Sequence, residues 1–183
     1  MRIISGKNRG AKLYTLEGLD TRPTLDRVKE PLFSIIGLQI PDAVILDLFA
    51  GSGAVGLEMV SRGAKKAILC DNSAKAIRII EQNVDKLKVA EEVQIIKADY
   101  KKVLEQLKKE KFDIVFLDPP YETNFASIAC QKIAEYDMLT EDGIIIIETD
   151  RKDDVKKEIF ALNKFEIYDE RKYGRANLIF LKY

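Results

Sequence analysis

Four consecutive residues, Asp118-Pro119-Pro120-Tyr121, restrict what this 183-residue chain can fold into more than any others. They follow the apolar run Ile114-Val115-Phe116-Leu117, which reads as a buried strand of a parallel sheet. Neither proline has an amide hydrogen to give to a ladder, so the strand must stop there. The turn then lies at a carboxyl end of the sheet, the edge at which open α/β sheets bind ligands. It offers a carboxylate, main-chain carbonyls and an aromatic ring. A flat ring bearing an exocyclic amine needs those groups, with acceptors for two N–H bonds and a face to stack on. The stretch reads as a pocket for a planar amine.

The rest of the chain supplies a sheet for that turn. Val44–Phe49, Ala67–Asp71, Val93–Lys97, Phe112–Leu117 and Ile144–Ile147 read as five strands alternating with helices. The first of those helices runs from Ser52 to Arg62, with Gly63 as a left-handed cap. Ser73 caps the next, whose apolar stripe is Ile77, Ile80, Val84 and Leu87. Residues 101–111, Phe125–Tyr136 and Asp153–Leu162 read as further helices, and segments near Phe165–Tyr168 and Asn177–Leu181 as closing strands. The expected fold is α/β, a doubly wound, mostly parallel, seven-stranded Rossmann-like sheet in one domain. Within it, residues 1–21 form a basic arm or hairpin, 22–38 a turn and helix, and 43–183 the Rossmann-like core. Thr24 is a candidate N-cap for a helix reaching about Leu38. Pro31 inside that pattern either kinks the helix or begins it.

Composition removes several chemistries. The chain has no histidine, which excludes histidine acid/base catalysis, Ser-His-Asp triads and the usual histidine-bearing zinc sites. No metal is expected. Cys70 and Cys130 do not make a disulfide framework, and Cys70 closes an apolar run as a small core residue would. No run is long enough to cross a bilayer, and the amino end lacks a signal peptide's apolar region, so the cytoplasm is expected. Net charge is zero, yet residues 1–16 hold Arg2, Lys7, Arg9 and Lys12 without an acid. That local surplus suits phosphate contact, and the segment is expected to be a nucleic-acid-docking arm rather than core.

Gly51-Ser52-Gly53-Ala54-Val55-Gly56 is a G-x-G-x-x-G loop at a strand-to-helix turn, a form shared by many nucleotide-binding folds. Asp71 ends the second strand, where an acid can accept both ribose hydroxyls of an adenosine-containing cofactor. Asp47 discriminates among such cofactors. A carboxylate four residues before the first glycine opposes an anionic pyrophosphate at the helix N-terminus and favours a ligand carrying an ammonium and a sulfonium.

The segment Asp47-Leu48-Phe49-Ala50-Gly51-Ser52-Gly53 resembles motif I of the class I S-adenosylmethionine-dependent methyltransferases. Asp118-Pro119-Pro120-Tyr121 resembles motif IV of their amino-methylating branch. With Arg22-Pro23-Thr24-Leu25-Asp26-Arg27-Val28-Lys29-Glu30 upstream, nearly the whole chain resembles the RsmD family of 16S rRNA guanine-N2 methyltransferases. Pro31 departs from the helix-compatible residue that family members more often carry. The resemblance implies S-adenosylmethionine as cofactor. It places Asp47 at the methionine amino end, and Phe49, Gly51, Ser52 and Gly53 along the cofactor. Asp71 and Asn72 would sit at the ribose, and Asp99 with the Tyr100 amide at the adenine. Asp118, Pro119 and Pro120 would hold the target amine, with Asp118 also bordering the cofactor, and Tyr121 would stack on the base. Lys7, Arg9, Lys12, Arg22, Thr24 and Arg27 are the residues expected to meet RNA. The implied partner is 16S rRNA, free or within an assembling small ribosomal subunit, bound by a monomer.

Other readings explain less. An adenine-N6 methyltransferase uses the same turn but is expected to carry a separate DNA-recognition domain. A glutamine-N5 methyltransferase of release factors usually opens its related turn with Asn. An NAD-dependent oxidoreductase accounts for the glycines and Asp71 but not for Asp47 or the prolines. A non-catalytic RNA-binding module accounts for the basic arm alone.

Overall fold

The computed structural model describes residues 1–16, 23–120 and 123–183, with side chains in the first helix from Val28 onward. Seven strands form one sheet: β1 (Val44–Asp47), β2 (Lys66–Asp71), β3 (Val93–Lys97), β4 (Phe112–Leu117), β5 (Leu139–Thr149), β6 (Glu166–Tyr173) and β7 (Ala176–Lys182). Their order is β3-β2-β1-β4-β5-β7-β6. The first five run parallel, and β7 is antiparallel to both β5 and β6. The chain reverses direction across the sheet between β1 and β4, which opens a crevice at their carboxyl ends.

Period-two alternation divides the sheet into two apolar faces. Ile45, Leu69, Ile114, Phe116, Ile144 and Ile146 pack with helices α1 (Pro23–Ile36), α2 (Ala54–Ser61) and α3 (Ala74–Leu87). Leu46, Leu48, Val115, Leu117, Ile145 and Ile147 pack with α4 (Tyr100–Gln106), α5 (Phe125–Glu135) and α6 (Lys152–Leu162). The continuous apolar runs in the sequence are therefore strands buried on both faces.

The expected elements are present with shifted ends. Strand β1 stops at Asp47, two residues short of Phe49, because the chain turns into the glycine loop. Helix α2 begins at Ala54 rather than Ser52, since Gly51 (φ 56°) and Gly53 (φ 78°) are left-handed and cannot join a right-handed helix. Helix α4 ends at Gln106, well short of Lys111. Strand β5 begins at Leu139, five residues ahead of its apolar run, because Leu139 pairs with Phe112 across an irregularity in register. Strand β6 extends to Tyr173 although its face is largely charged, as suits the outermost strand. Helix α1 runs unbroken through Pro31 and begins at Pro23, ahead of the expected cap at Thr24. The side chain of Thr24 lies outside the described residues.

The amino-terminal arm lies outside the sheet, as expected, but it is not separate from the core. Residues Arg2 and Lys12 bridge as an antiparallel pair, and Ile3 and Leu13 are buried beside Leu32, Phe33 and Ile36. The buried carboxylate of Glu58 on α2 fastens it. Its Oε2 accepts from the Ile4 amide at 2.8 Å, and its Oε1 from the Ser5 amide at 3.0 Å and Arg62 Nε at 2.8 Å. The Lys29 ammonium of α1 lies 3.4 Å from Oε2 and also donates to the Arg2 carbonyl at 3.2 Å. One acid thus joins the arm, α1 and α2.

Removing one member of such a buried ionic cluster costs about 3–5 kcal/mol. Glu58→Ala is expected to lower unfolding free energy by about that amount in guanidinium titrations. A loss under about 1 kcal/mol would show that the arm is not held through this residue.

Candidate active site

The site is built where β1 gives way to the glycine loop. Asp47 is the last residue of β1, paired with Leu69 of β2 on one side and Phe116 of β4 on the other. The Leu48 amide still donates to the Phe116 carbonyl at 3.2 Å, but the Ala50 amide donates to the Cys70 carbonyl at 2.8 Å. The chain therefore crosses from β4 toward β2 within three residues. A Cβ added to Gly51 would meet no atom within 4 Å, so the loop borders open space there. Gly56 is the opposite case. A Cβ on it would lie 2.2 Å from Leu69 Cδ2, so α2 packs on the sheet closely enough that any side chain there would have to displace the buried Leu69.

Asp47 is almost fully buried. Its Oδ2 accepts from the Gly56 amide at 3.2 Å, while its Oδ1 has no hydrogen-bond partner among the described residues. Burial is the main cause that lifts its carboxyl from 3.8 to about 7, and the nearby charges of Asp118 and Asp71 add to it. The Gly56 hydrogen bond works the other way. A cation placed at Oδ1 would reverse the main penalty. The Cys70 thiol beside these acids is pushed far up, by burial first and by Asp47 and Asp71 after it. It is a core residue, as is Cys130.

Asp71 clamps the loop. Its Oδ2 accepts from the Gly51 amide at 3.0 Å and its Oδ1 from the Ser73 amide at 2.8 Å, leaving each oxygen a further lone pair. Asn72 beside it is exposed, and Ser52 is half-buried. Asp99 is the exposed N-cap of α4, accepting from the Lys101 amide at 3.0 Å. Tyr100 is buried, with ring centroids 5.4 Å from Phe49 and 4.8 Å from Phe125. Its hydroxyl has no hydrogen-bond partner among the described residues. Phe49, Tyr100 and Phe125 form an aromatic wall on the α4–α5 side of the site. Phe125 escaped the sequence reading, because the wall is assembled from one loop residue and the first residues of two separate helices.

At β4 the strand ends at Leu117, with Asp118 half-buried, Pro119 buried and Pro120 exposed. Asp118 lies near enough to Asp47 to raise its carboxyl. Tyr121 and Glu122 lie outside the described residues, as does Arg22, and so does the side chain of Arg27. Asp47, Asp71, Asp99 and Asp118 each stand at or just past the end of one of the four strands β1–β4. Glu148, buried near the end of β5, extends the row and was missed. The signal was present, since Glu148 closes an apolar run just as Asp71 and Asp118 do.

Asn83 is another residue missed. It is fully buried, and its amide accepts from the Tyr14 amide at 2.8 Å and donates to the Tyr14 and Ser52 carbonyls at 3.0 and 2.9 Å. It ties the arm directly to the glycine loop. The arm's basic residues are less closely placed. Lys7, Arg9 and Lys12 are exposed, but Lys7 pairs with Glu92, just before β3 and so at the opposite end of the sheet from Asp47.

The family model described as Conserved hypothetical protein 95 matches residues 1–182. Ribosomal RNA small subunit methyltransferase D of Haemophilus influenzae is 37% identical over 153 residues, covering 82% of this chain and 79% of its own. The Escherichia coli protein of the same name is 35% identical over 150 residues, covering 82% and 75%. The solved structure of yhhF from Escherichia coli superposes with a TM-score of 0.85 at 30% identity, covering 99% of this chain and 96% of that one. The chain belongs to the RsmD family. It is accordingly a methyltransferase with the class I fold.

The methyl donor of this class is S-adenosylmethionine, and the residues present fit it. The partnerless Oδ1 of Asp47 suits the ammonium, the open side of Gly51 admits a ligand against the backbone, and Asp71 retains lone pairs for hydroxyls. The aromatic wall offers a face to a purine.

The raised carboxyl of Asp47 gives the site a pH dependence. Without ligand, Asp47 favours the protonated folded state, so it makes the protein less stable as pH rises from about 4 to about 7. A ligand's ammonium requires the ionised form. Affinity for S-adenosylhomocysteine is therefore expected to rise up to about tenfold per pH unit below pH 7 and to level off above it. Asp47→Asn should bind more weakly and lose that slope. Calorimetry between pH 5.5 and 8.5 checks this, and the same slope in the variant would remove Asp47 from the ligand.

Proposed function

We propose that this protein transfers a methyl group from S-adenosylmethionine to the exocyclic N2 amine of a guanine in 16S rRNA. The observation that carries the reading is the proline turn after β4, which sets the Asp118 carboxylate beside the acid-lined glycine loop. Small-subunit rRNA as substrate is supported by the names of the relatives.

When bound, S-adenosylmethionine supplies a methyl group on a positively charged sulfur. The target amine is a poor nucleophile because its lone pair is delocalised into the ring. Asp118 and the Pro119 carbonyl accept its two N–H bonds and turn the lone pair toward the methyl group. Orientation and electrostatics then carry the step, as suits a chain without histidine. Positive charge arriving on the nitrogen is stabilised by Asp118, which also helps the proton leave. Tyr121, outside the described residues, is assigned to stack on the base. A base within a helix cannot reach such a turn, so the guanine must be unpaired or flipped. Asp99 accepts from the adenine amine of the cofactor, with the Tyr100 amide beside it as a donor to the ring. Lys7, Arg9 and Lys12, with Arg22, Thr24 and Arg27, meet the RNA backbone. A monomer acting in the cytoplasm on an assembling small subunit fits this arrangement.

Asp118→Ala is expected to slow single-turnover methyl transfer about a hundredfold or more, the scale for losing one preorganised polar contact. Affinity for S-adenosylhomocysteine should stay within about twofold. Asp118→Asn keeps an acceptor oxygen without the charge and should fall between the two. Wild-type single-turnover rates in Asp118→Ala would end the proposed role.

A further inference from the structure

The strand register places a second carboxylate beside Asp118. Strands β4 and β5 run parallel, with Leu117 paired to Ile147, so the next residue of each is Asp118 and Glu148. Phe116 and Ile146 belong to the α1–α3 face, while Leu117 and Ile147 belong to the other. Alternation therefore returns Asp118 and Glu148 to the α1–α3 face, the side on which Asp47 meets Gly56 of α2. Neighbouring strands lie about 4.8 Å apart, so two acids on one face of adjacent strands can serve neighbouring atoms of a single ring. Glu148 is only 4% exposed, yet it stands at the rim of the sheet where the reacting amine is held. The methyl-transfer step proposed above uses Asp118 and the Pro119 carbonyl and gives Glu148 no part.

Resting on the assignment of the target as a guanine N2 amine, we propose that Glu148 determines base specificity by accepting the N1–H of that guanine. Guanine presents two adjacent donors on its pairing edge, the N2 amine and N1–H. Adenine presents an amine beside a bare N1, which is an acceptor. An acid at the amine alone cannot separate them. A second, buried acid facing N1 accepts from the guanine N1–H but meets a lone pair in adenine, so the wrong base sets two acceptors against each other. Asp118 thus selects an amine, and Glu148 selects the ring that carries it.

The test compares two RNA fragments around the guanine that the wild-type enzyme methylates, one carrying guanine and one carrying 2-aminopurine at that position. 2-Aminopurine keeps the N2 amine and lacks N1–H. Wild-type enzyme should prefer guanine by about tenfold or more in kcat/KM. Glu148→Gln matches the native shape, and its amide can accept from N1–H or donate to a bare N1. Its preference should fall to within about twofold. If Glu148 merely holds β5 in place, both substrates slow alike and the ratio is unchanged, which would overturn the proposal. Binding of S-adenosylhomocysteine reports whether the variant is folded. Should it fail, Glu148→Asp withdraws the carboxylate while retaining its charge, and an undiminished preference there would also overturn the proposal. A wild-type enzyme that puts no methyl on guanine N2 overturns the assignment of the reaction itself, a result distinct from an unchanged ratio.

Discussion

The close approach of α2 to the end of β1 is the constraint on which the site depends. A side chain at Gly56 would have to displace the buried Leu69 side chain, so glycine lets the helix come near enough for its amide to reach the Asp47 carboxylate without disturbing the sheet face. That contact is the one hydrogen bond Asp47 makes among the described residues, and it leaves the second oxygen buried without a partner. A carboxylate held this way is costly to ionise. Burial is what lifts its carboxyl to about 7, and a cation beside it would offset that cost.

From that point the chemistry follows the sheet's edge. Parallel strands deliver their carboxyl ends to one side, and this chain places acids along that side from β3 to β5. Asp71 serves twice, holding the Gly51 amide and keeping lone pairs for a ligand. Donors and cations are what such an edge attracts, and a sulfonium cofactor and a nucleobase amine are both. The helices on the two faces supply different services. On one face, α2 and α3 carry Glu58 and Asn83, which tie the amino-terminal arm to the core and to the glycine loop. On the other, α4 and α5 bring Tyr100 and Phe125 against Phe49.

The sequence was most legible where one residue's chemistry forbade alternatives. The prolines after Leu117 ended β4 where the structure ends it, and Ser73 capped α3. The stripe Ile77, Ile80, Val84 and Leu87 is buried as its spacing required. Boundaries failed where non-local pairing decides them. Leu139 is a strand residue because of Phe112, and β6 is a strand because of β7, neither of which local pattern reveals. The arm was read as a docking segment set apart from the core, since its charges are conspicuous and its two apolar anchors, Ile3 and Leu13, are few. What binds it includes polar side chains on distant helices, among them Glu58 and Asn83, which look like ordinary helical surface residues in the sequence. Glu148 was overlooked for a different reason. It followed a run of isoleucines read only as core, although the acid closing that run was the same signal already used at Asp71 and Asp118.

The most direct measurement is the nucleoside composition of small-subunit rRNA. RNA from cells lacking this protein is incubated with the purified protein and methyl-labelled S-adenosylmethionine. It is digested in parallel to nucleosides, which identify the methylated base, and to oligonucleotides, which locate it, and both are analysed by mass spectrometry. The account predicts that label enters N2-methylguanosine at a single site, and that RNA from wild-type cells, already methylated, accepts almost none. Label in N6-methyladenosine, or equal labelling of both RNAs at scattered guanines, would contradict it.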